Sequence, residues 1–198
     1  MSDPVKKASG RPRSIQSHQA ILQATLELLS EVGFDRISIE AVATRAGVGK
    51  TTIYRRYSSK EELVADAIES VREEVIIPDT GSLWEDISTL IDNAAEIVLN
   101  PLGRQAIAMI ISTASSSPQF VKIYWTKYLQ PRRQAFAIVL ERAKARNELH
   151  PDVDSDLVFD TMSGIMLYAL IFPPTDEPWK DYICRALDLV LRKSVISS

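Results

Sequence analysis

The stretch Ala46-Gly47-Val48-Gly49-Lys50-Thr51-Thr52 is the part of the chain whose residue types and spacing most resemble a chemical motif. Gly49-Lys50-Thr51 reads like the end of a P-loop, in which backbone N–H groups of a wide glycine-rich loop wrap a phosphate and the lysine neutralises it. That motif needs glycine five residues before Gly49, and Thr44 stands there. The flank from Ser38 to Ala46 alternates with a helical period and carries Glu40 and Arg45, unlike a buried parallel strand. Nucleotide binding through Gly49-Lys50-Thr51 is therefore a minor alternative. Other catalytic material is sparse. His18 and His150 are the only histidines and neither has a nucleophile or metal partner in sequence. Cys184 is alone, which excludes an intrachain disulfide and a Cys-based zinc site. Distant carboxylates can still meet in a fold, but the pattern predicts no enzyme, no cofactor and no metal site.

The same stretch fits a helix-turn-helix better. That motif needs two short helices joined by a glycine-containing turn, with the second helix free to enter a major groove. Gly47 allows the turn and Val48 packs beneath it. Ile53 faces inward, while Lys50, Thr51, Thr52, Tyr54, Arg55 and Arg56 stay outside. A solvated helix face would look similar, but two details favour an anion. Lys60 sits at a helix start, where the macrodipole disfavours a cation, and a phosphate docked there would use both its charge and the free N–H groups. Tyr54 stands among cations, where its phenol can reach a phosphate. Net charge supports this. Residues 1–60 carry ten Lys/Arg against five Asp/Glu, and residues 61–198 carry thirteen against twenty-one. A basic head on an acidic body points to a polyanion met by the head alone.

Helices must position these residues, and the pattern predicts an all-α chain. Residues 1–14 lack apolar periodicity and read as a flexible basic arm. A helix follows from Ile15, with Ile21, Thr25, Leu28, Leu29 and Val32 on one face and Gly33 as its stop. Ser38 caps a second helix, with Ile37 and Val42 placed as a hydrophobic staple. A third runs roughly from Lys50 to Tyr57. A fourth starts at Ser59, where Ser59-Lys60-Glu61-Glu62 is a capping box. Later spans are 82–100, 102–115, 118–147, 154–172 and 177–194. Pro131 should kink or break the third of these. The expected fold is a three-helix helix-turn-helix domain over 15–60 and a second helical domain over 61–198, with about nine helices in all. The longest strongly apolar run, Gly164 to Phe172, is far short of the ~20 residues that span a bilayer, and the basic, polar N-terminus is unlike a signal peptide. The expected location is the cytoplasm, with no membrane partner.

Residues 37–63, ISIEAVATRAGVGKTTIYRRYSSKEEL, closely resemble the DNA-binding signature of TetR/AcrR-type bacterial transcription regulators. Residues 21–38, ILQATLELLSEVGFDRIS, are similar to that family's first helix and the entry to its second. Residues 128–154 resemble one family subclass, which usually has glycine where this chain has Asn147. The resemblance implies that Ser38 and Lys60 hold phosphates at two helix starts. It also implies that Lys50, Thr51 and Tyr54 sit at the groove, with Thr52 beside them. Arg55 and Arg56 depart from the aromatic or histidine residues common there; they would add guanine contacts or only backbone affinity. Arg11 and Arg13 resemble minor-groove-reading tails, though an arm of unspecific charge fits as well.

The 154–172 helix is apolar on two faces. Val158, Met162, Ile165, Ala169 and Phe172 form one stripe; Leu157, Gly164, Tyr168 and Ile171 form another. The last helix adds Trp179, Ile183, Leu187 and Val190, with Tyr182 and Leu189 beside them. Such helices need partners on both sides. The first stripe with Trp179, Ile183, Leu187 and Val190 is assigned to a homodimer interface, as the resemblance implies for the last two helices. A two-fold dimer would read double-stranded palindromic operator DNA. The resemblance also implies an inducer site for an unidentified small molecule. Trp84, Met109, Phe120, Tyr124, Trp125, Tyr128, Met162 and Met166 are its candidate lining, though pockets and cores use the same residue types. The reading is a dimeric repressor released by a small-molecule ligand; a constitutive DNA-binding factor without ligand is the alternative.

Overall fold

The computed structural model describes residues 11–72 and 77–191, without the side chains of residues 11–13, 97 and 98. The described residues are all-α and form no sheet. In chain order the helices are α1 (Arg11–Arg36), α2 (Ile39–Arg45), α3 (Lys50–Tyr54), α4 (Lys60–Glu69), α5 (Leu83–Leu99), α6 (Pro101–Ser116), α7 (Pro118–Tyr124), α8 (Gln130–Ala145), α9 (Ser155–Ile171) and α10 (Trp179–Leu191). A π-helical turn, Trp125–Leu129, joins α7 to α8 without a break in the helical path. Helix α3 ends at Tyr54, short of the Tyr57 expected from sequence.

The chain divides into two compact units. The first takes residues up to Val71 together with Ala106–Tyr124, and the second takes Arg72–Gln105 and everything from Trp125 onward. This differs from a border at residue 60; of the arm expected over 1–14, residues 1–10 lie outside the described residues. Residues 11–14 are already helical, because polarity alone does not stop a helix and the Arg56 guanidinium holds Ser14. Residues beyond 60 join the head because α4 is apolar on more than one face. Leu63, Val64, Ala65, Ala67 and Ile68 are all buried, and a helix of that kind needs cover on two sides. Helix α1 supplies one side and α7 the other.

Local chemistry sets the turns of the first unit. Gly33 has φ 75° and ψ 171°, a region open essentially to glycine alone, and it ends the straight part of α1. Ser38 caps α2 by accepting the Ala41 N–H at 3.1 Å, with Ile37 and Val42 buried as a staple. The end of α2 is a Schellman motif: Gly47, at φ 65°, donates its N–H to Thr44 and Val48 donates to Ala43. Ser59 accepts the Glu62 N–H, and Glu62 in return accepts from the N–H and hydroxyl of Ser58, one residue earlier than a capping box requires. Phe120 of α7 is fully enclosed, tilted against Phe34 and stacked on Tyr124.

The second unit packs α5, α8, α9 and α10 around Ile87, Ile91, Phe136, Leu140, Val158, Met162, Ile183 and Leu187. Pro131 has no N–H to continue the ladder, and the chain meets this with the π turn before α8 rather than with an open break. Asn147, at φ 60°, closes α8 in a second Schellman motif, donating to Lys144 while Glu148 donates to Ala143. The start of α5 is pinned by carboxylates. Buried Asp86 accepts from the N–H and hydroxyl of Thr80, and Glu148 accepts the Leu83 N–H.

The interface assignment made from sequence is corrected here. Val158, Met162, Ala169, Ile183 and Leu187 lie buried in the second unit's own core, and Ile165 and Trp179 pack against it. Only Phe172 and Val190 of that set are exposed. The other stripe faces outward: Leu157, Tyr168 and Ile171 on α9, and Leu189 on α10. Both stripes are apolar, so periodicity could not say which one the chain itself covers.

Truncating Phe120 to alanine should cost about 3–5 kcal/mol, as for other enclosed aromatic residues. The chemical denaturation midpoint of the purified variant checks this; a loss below about 1 kcal/mol would show that Phe120 lines removable space instead of filling the core.

Candidate nucleic-acid interface

The exposed face of α3 is built on one buried residue. Ile53 has no exposed surface, and with Ile53 fixed, Lys50, Thr51, Tyr54 and Arg55 stand outward. Thr52 is half-buried on the flank. Tyr54 is 56% exposed, unusual for an aromatic side chain with nothing apolar to gain in water. Tyr57 turns inward, stacked on His18 with its hydroxyl 3.4 Å from the His18 Nδ1. Burial pushes the Tyr57 phenol up to about 12.

The cations of the head fall into distinct roles. Arg45, in the last turn of α2, forms a fork on Glu31 of α1 at 2.8 and 2.9 Å and reaches Glu27 at 3.3 Å. That ion pair holds Glu31 below, and Arg45 above, their usual ranges. Arg56 is half-buried and donates to the Ser14 carbonyl at 3.0 Å and hydroxyl at 2.7 Å, so it ties the end of α3 to α1. Lys60 donates to the Phe34 carbonyl at 3.0 Å and lies 4.2 Å over the Phe34 ring, so it braces the corner between α1 and α2. Lys50 pairs with Glu40 at 2.6 Å, and this hydrogen bond is the main reason the Glu40 carboxyl is held below its usual range. Arg55 is exposed; its backbone N–H closes the last turn of α3 on the Thr51 carbonyl at 3.1 Å, and its side chain makes no ion pair among the described residues.

Of the residues assigned to DNA, Lys50, Thr51, Tyr54 and Arg55 therefore come together on one surface. Ser38 and Lys60 stand at the starts of α2 and α4, each already in use: the Ser38 oxygen as a cap and the Lys60 ammonium as a brace. Arg56 does not join the face. The side chains of Arg11 and Arg13 lie outside the described residues. Glu40 and Arg45 were not assigned from sequence. Glu40 precedes Lys50 by ten residues, and only the turn between α2 and α3 brings them together. Gly49 follows α2 and caps α3, so the strand a P-loop needs is replaced by a helix and the nucleotide alternative fails.

The residues assigned to a ligand divide between the units. Met109, Phe120 and Tyr124 belong to the first; Trp84, Trp125, Tyr128, Met162 and Met166 belong to the second. Phe120 and Tyr124 fill the first core, and the Tyr124 hydroxyl donates to Glu69. Met162 belongs to the second core, with Trp84 and Met166 packed against it. Trp125, in the π turn, is partly exposed beneath the Arg133 guanidinium at 5.6 Å. Among the described residues, no group of three His, Cys, Asp or Glu side chains could hold a metal, and no single helix is long and apolar enough to cross a membrane.

Comparison with known proteins decides what this head belongs to. Residues 21–67 match the family described as "Bacterial regulatory proteins, tetR family", and residues 77–190 match the "Tetracyclin repressor-like, C-terminal domain". The chain belongs to the TetR family of transcriptional regulators. It is 33% identical over 163 residues to the HTH-type transcriptional regulator YdeS of Bacillus subtilis, covering 82% of each chain. It is 31% identical over 196 residues to the DNA-binding transcriptional repressor TetR of Mycobacteroides abscessus, covering 93% of this chain and 94% of that one. Among solved structures, the Flavonoid-responsive Regulator FrrA superposes with a TM-score of 0.71 at 23% identity, covering 92% of this chain and 99% of its own, a likeness of fold alone. A TetR-family chain is a regulator and not an enzyme.

The two neighbouring arginines should separate cleanly by substitution. Arg55→Ala should lower the slope of log affinity against log salt by about one unit and leave the melting temperature unchanged. Arg56→Ala should cost about 1–2 kcal/mol of stability through the lost ties to Ser14, with a slope close to the parent's. Salt-titrated binding to duplex DNA together with thermal melts reads both; exchanged outcomes would show that Arg56, not Arg55, meets the phosphates.

Proposed function

We propose that this chain is a homodimeric, sequence-specific repressor that binds a palindromic operator and is released from it by a small-molecule ligand. The observation that carries the reading is the face of α3. Two donors and a phenol stand exposed on a short helix fixed from behind by Ile53, with a guanidinium at its C-terminal cap. Those side-chain types suit base edges and phosphates in a major groove. Lys50, Thr51, Tyr54 and Arg55 make the contacts, Thr52 flanks them, and Ser38 and Lys60 meet phosphates through the helix starts they occupy. Arg11 and Arg13 add an N-terminal reach toward the minor groove. The regulator acts in the cytoplasm, where operator DNA is found.

Dimerisation is supported by the apolar residues the second unit leaves uncovered. Leu157, Tyr168 and Ile171 on α9, Phe172 just after it, and Leu189 and Val190 on α10 are large, apolar and exposed on adjacent elements. A second copy would cover them and place two α3 helices on one duplex. Ligand release is supported by relatives. The Mycobacteroides protein is named a repressor, and the fold neighbour FrrA is named for its response to flavonoids. A ligand that prefers one arrangement of two heads shifts their population by no more than its differential affinity. Trp84, Trp125, Tyr128 and Met166, all of the second unit, remain the candidate lining, since Phe120, Tyr124 and Met162 fill cores and Met109 belongs to the first unit.

The double variant Tyr168→Glu/Ile171→Glu tests the interface. Sedimentation should show a dimer for the parent and a monomer for the variant, with the helical circular dichroism retained. Operator affinity should fall on the order of 100-fold or more, as paired contacts become single ones. A variant that stays dimeric and binds as the parent does would refute the interface, and a parent that is monomeric on its operator would refute the dimer.

A further inference from the structure

The pair between Glu40 and Lys50 does more than decorate the head. Glu40 lies in the first turn of α2, and Lys50 is the first residue of α3. The Lys50 Nζ donates to Glu40 Oε1 at 2.6 Å, and both side chains are more than half exposed, 53% and 56%. The carboxylate is thus exposed and bound to Lys50, the first residue of the helix that also carries Thr51 and Tyr54. In energy alone such an exposed pair adds little to the fold. An acid on a surface that must meet a polyanion is a cost to binding, and it needs a reason beyond stability.

The chemistry of the partners supplies one. A lysine ammonium has three donors and no acceptor, so Lys50 can keep Glu40 and still offer hydrogen bonds elsewhere. What it can no longer offer is an unbalanced charge. Guanine O6 and N7 are neutral acceptors, and a charge-balanced lysine serves them as a donor without penalty. A phosphate is an anion, and a lysine that brings its own carboxylate places a like charge beside it. Such a lysine also releases no condensed counterion on binding, whereas a bare one does. The same pair therefore separates two kinds of DNA contact, weakening the one that carries no sequence information.

We propose that Glu40 is a specificity-determining residue that acts through Lys50, suppressing its attraction to phosphates so that it counts mainly at base edges of the operator. The inference rests on the reading of α3 as the DNA-reading helix. Glu40 is a positioning residue in this scheme, and Lys50 makes the contact. Arg45 of α2 and Arg56, just past α3, do not need such a partner for this purpose, because both are committed to α1. Arg55, exposed and without an ion pair among the described residues, is in this scheme a cation that supplies plain phosphate affinity.

The test compares the full chain and its variants on two duplexes, the selected operator and a scrambled duplex of equal length and composition. Glu40→Gln should tighten binding to the scrambled duplex about two- to fivefold and steepen its salt slope by close to one unit. Binding to the operator should change less, so the ratio of the two affinities falls. In the Lys50→Met background the same Glu40→Gln change should lose most of its effect. Three results would overturn the proposal. One is equal gains on both duplexes. Another is an unchanged or weaker hold on the scrambled duplex with folding intact by circular dichroism. The third is a gain that persists undiminished without Lys50, which would make Glu40 a diffuse charge only. Failure of the parent chain to prefer any operator is a separate outcome, read from the parent alone, and would remove the DNA-reading role of α3 and this proposal with it.

Discussion

The enclosure of Ile53 is the contact on which the head depends. Helix α3 has five residues, far below the ~12–15 at which an isolated helix begins to hold in water. It exists because Ile53 is wholly buried and because both ends are fixed from outside. The Schellman turn through Gly47 and Val48 delivers the chain to Gly49 in one direction, and Arg56 ties the far end to Ser14. Arg45, forked onto Glu31, keeps α2 on α1 while the turn is made. Ile53 lies on the inner side, and Arg45 and Arg56 are both spent on α1. The outer side is thereby left to residues chosen for what they meet and not for what they hold.

Much of this was legible in the sequence because it is local. Gly33, Ser38, Gly47, Ser59, Pro131 and Asn147 announce backbone geometry that the chain adopts, since glycine, small capping hydroxyls and proline narrow the options by themselves. The inward position of Ile53 and the outward position of Tyr54 follow from helical period. What the sequence could not separate were side chains of equal type in different surroundings. Arg55 and Arg56 are neighbours of one kind, yet one is exposed and the other reaches a carbonyl more than forty residues away in the chain. Lys60 looked like a free cation at a helix start, and it is braced on Phe34.

The same limit explains the reversed faces of α9. Val158 and Met162 belong to one apolar stripe, Leu157 and Tyr168 to another, and nothing in hydrophobicity ranks them. The ranking comes from tertiary packing: Val158, Met162 and Ala169 share the core of the second unit with Phe136 and Leu140 of α8, and Phe159 also meets Phe136. The aromatic residues set aside for a ligand show a related ambiguity. Phe120 is enclosed between Phe34 and Tyr124, so an aromatic cluster that resembles a binding site is in part the core that joins α7 to the head. A sequence fixes the supply of apolar surface, and tertiary packing decides which part remains on offer.

The central claim is that α3 reads the sequence of a duplex as half of a symmetric pair. Selection of bound sequences from a random duplex DNA pool, at near-physiological salt, tests it most directly. The account predicts enrichment of a palindrome with half-sites about one helical turn apart, or a multiple of that spacing. Enrichment of no sequence by folded protein, or of a single half-site without a symmetric mate, would contradict it.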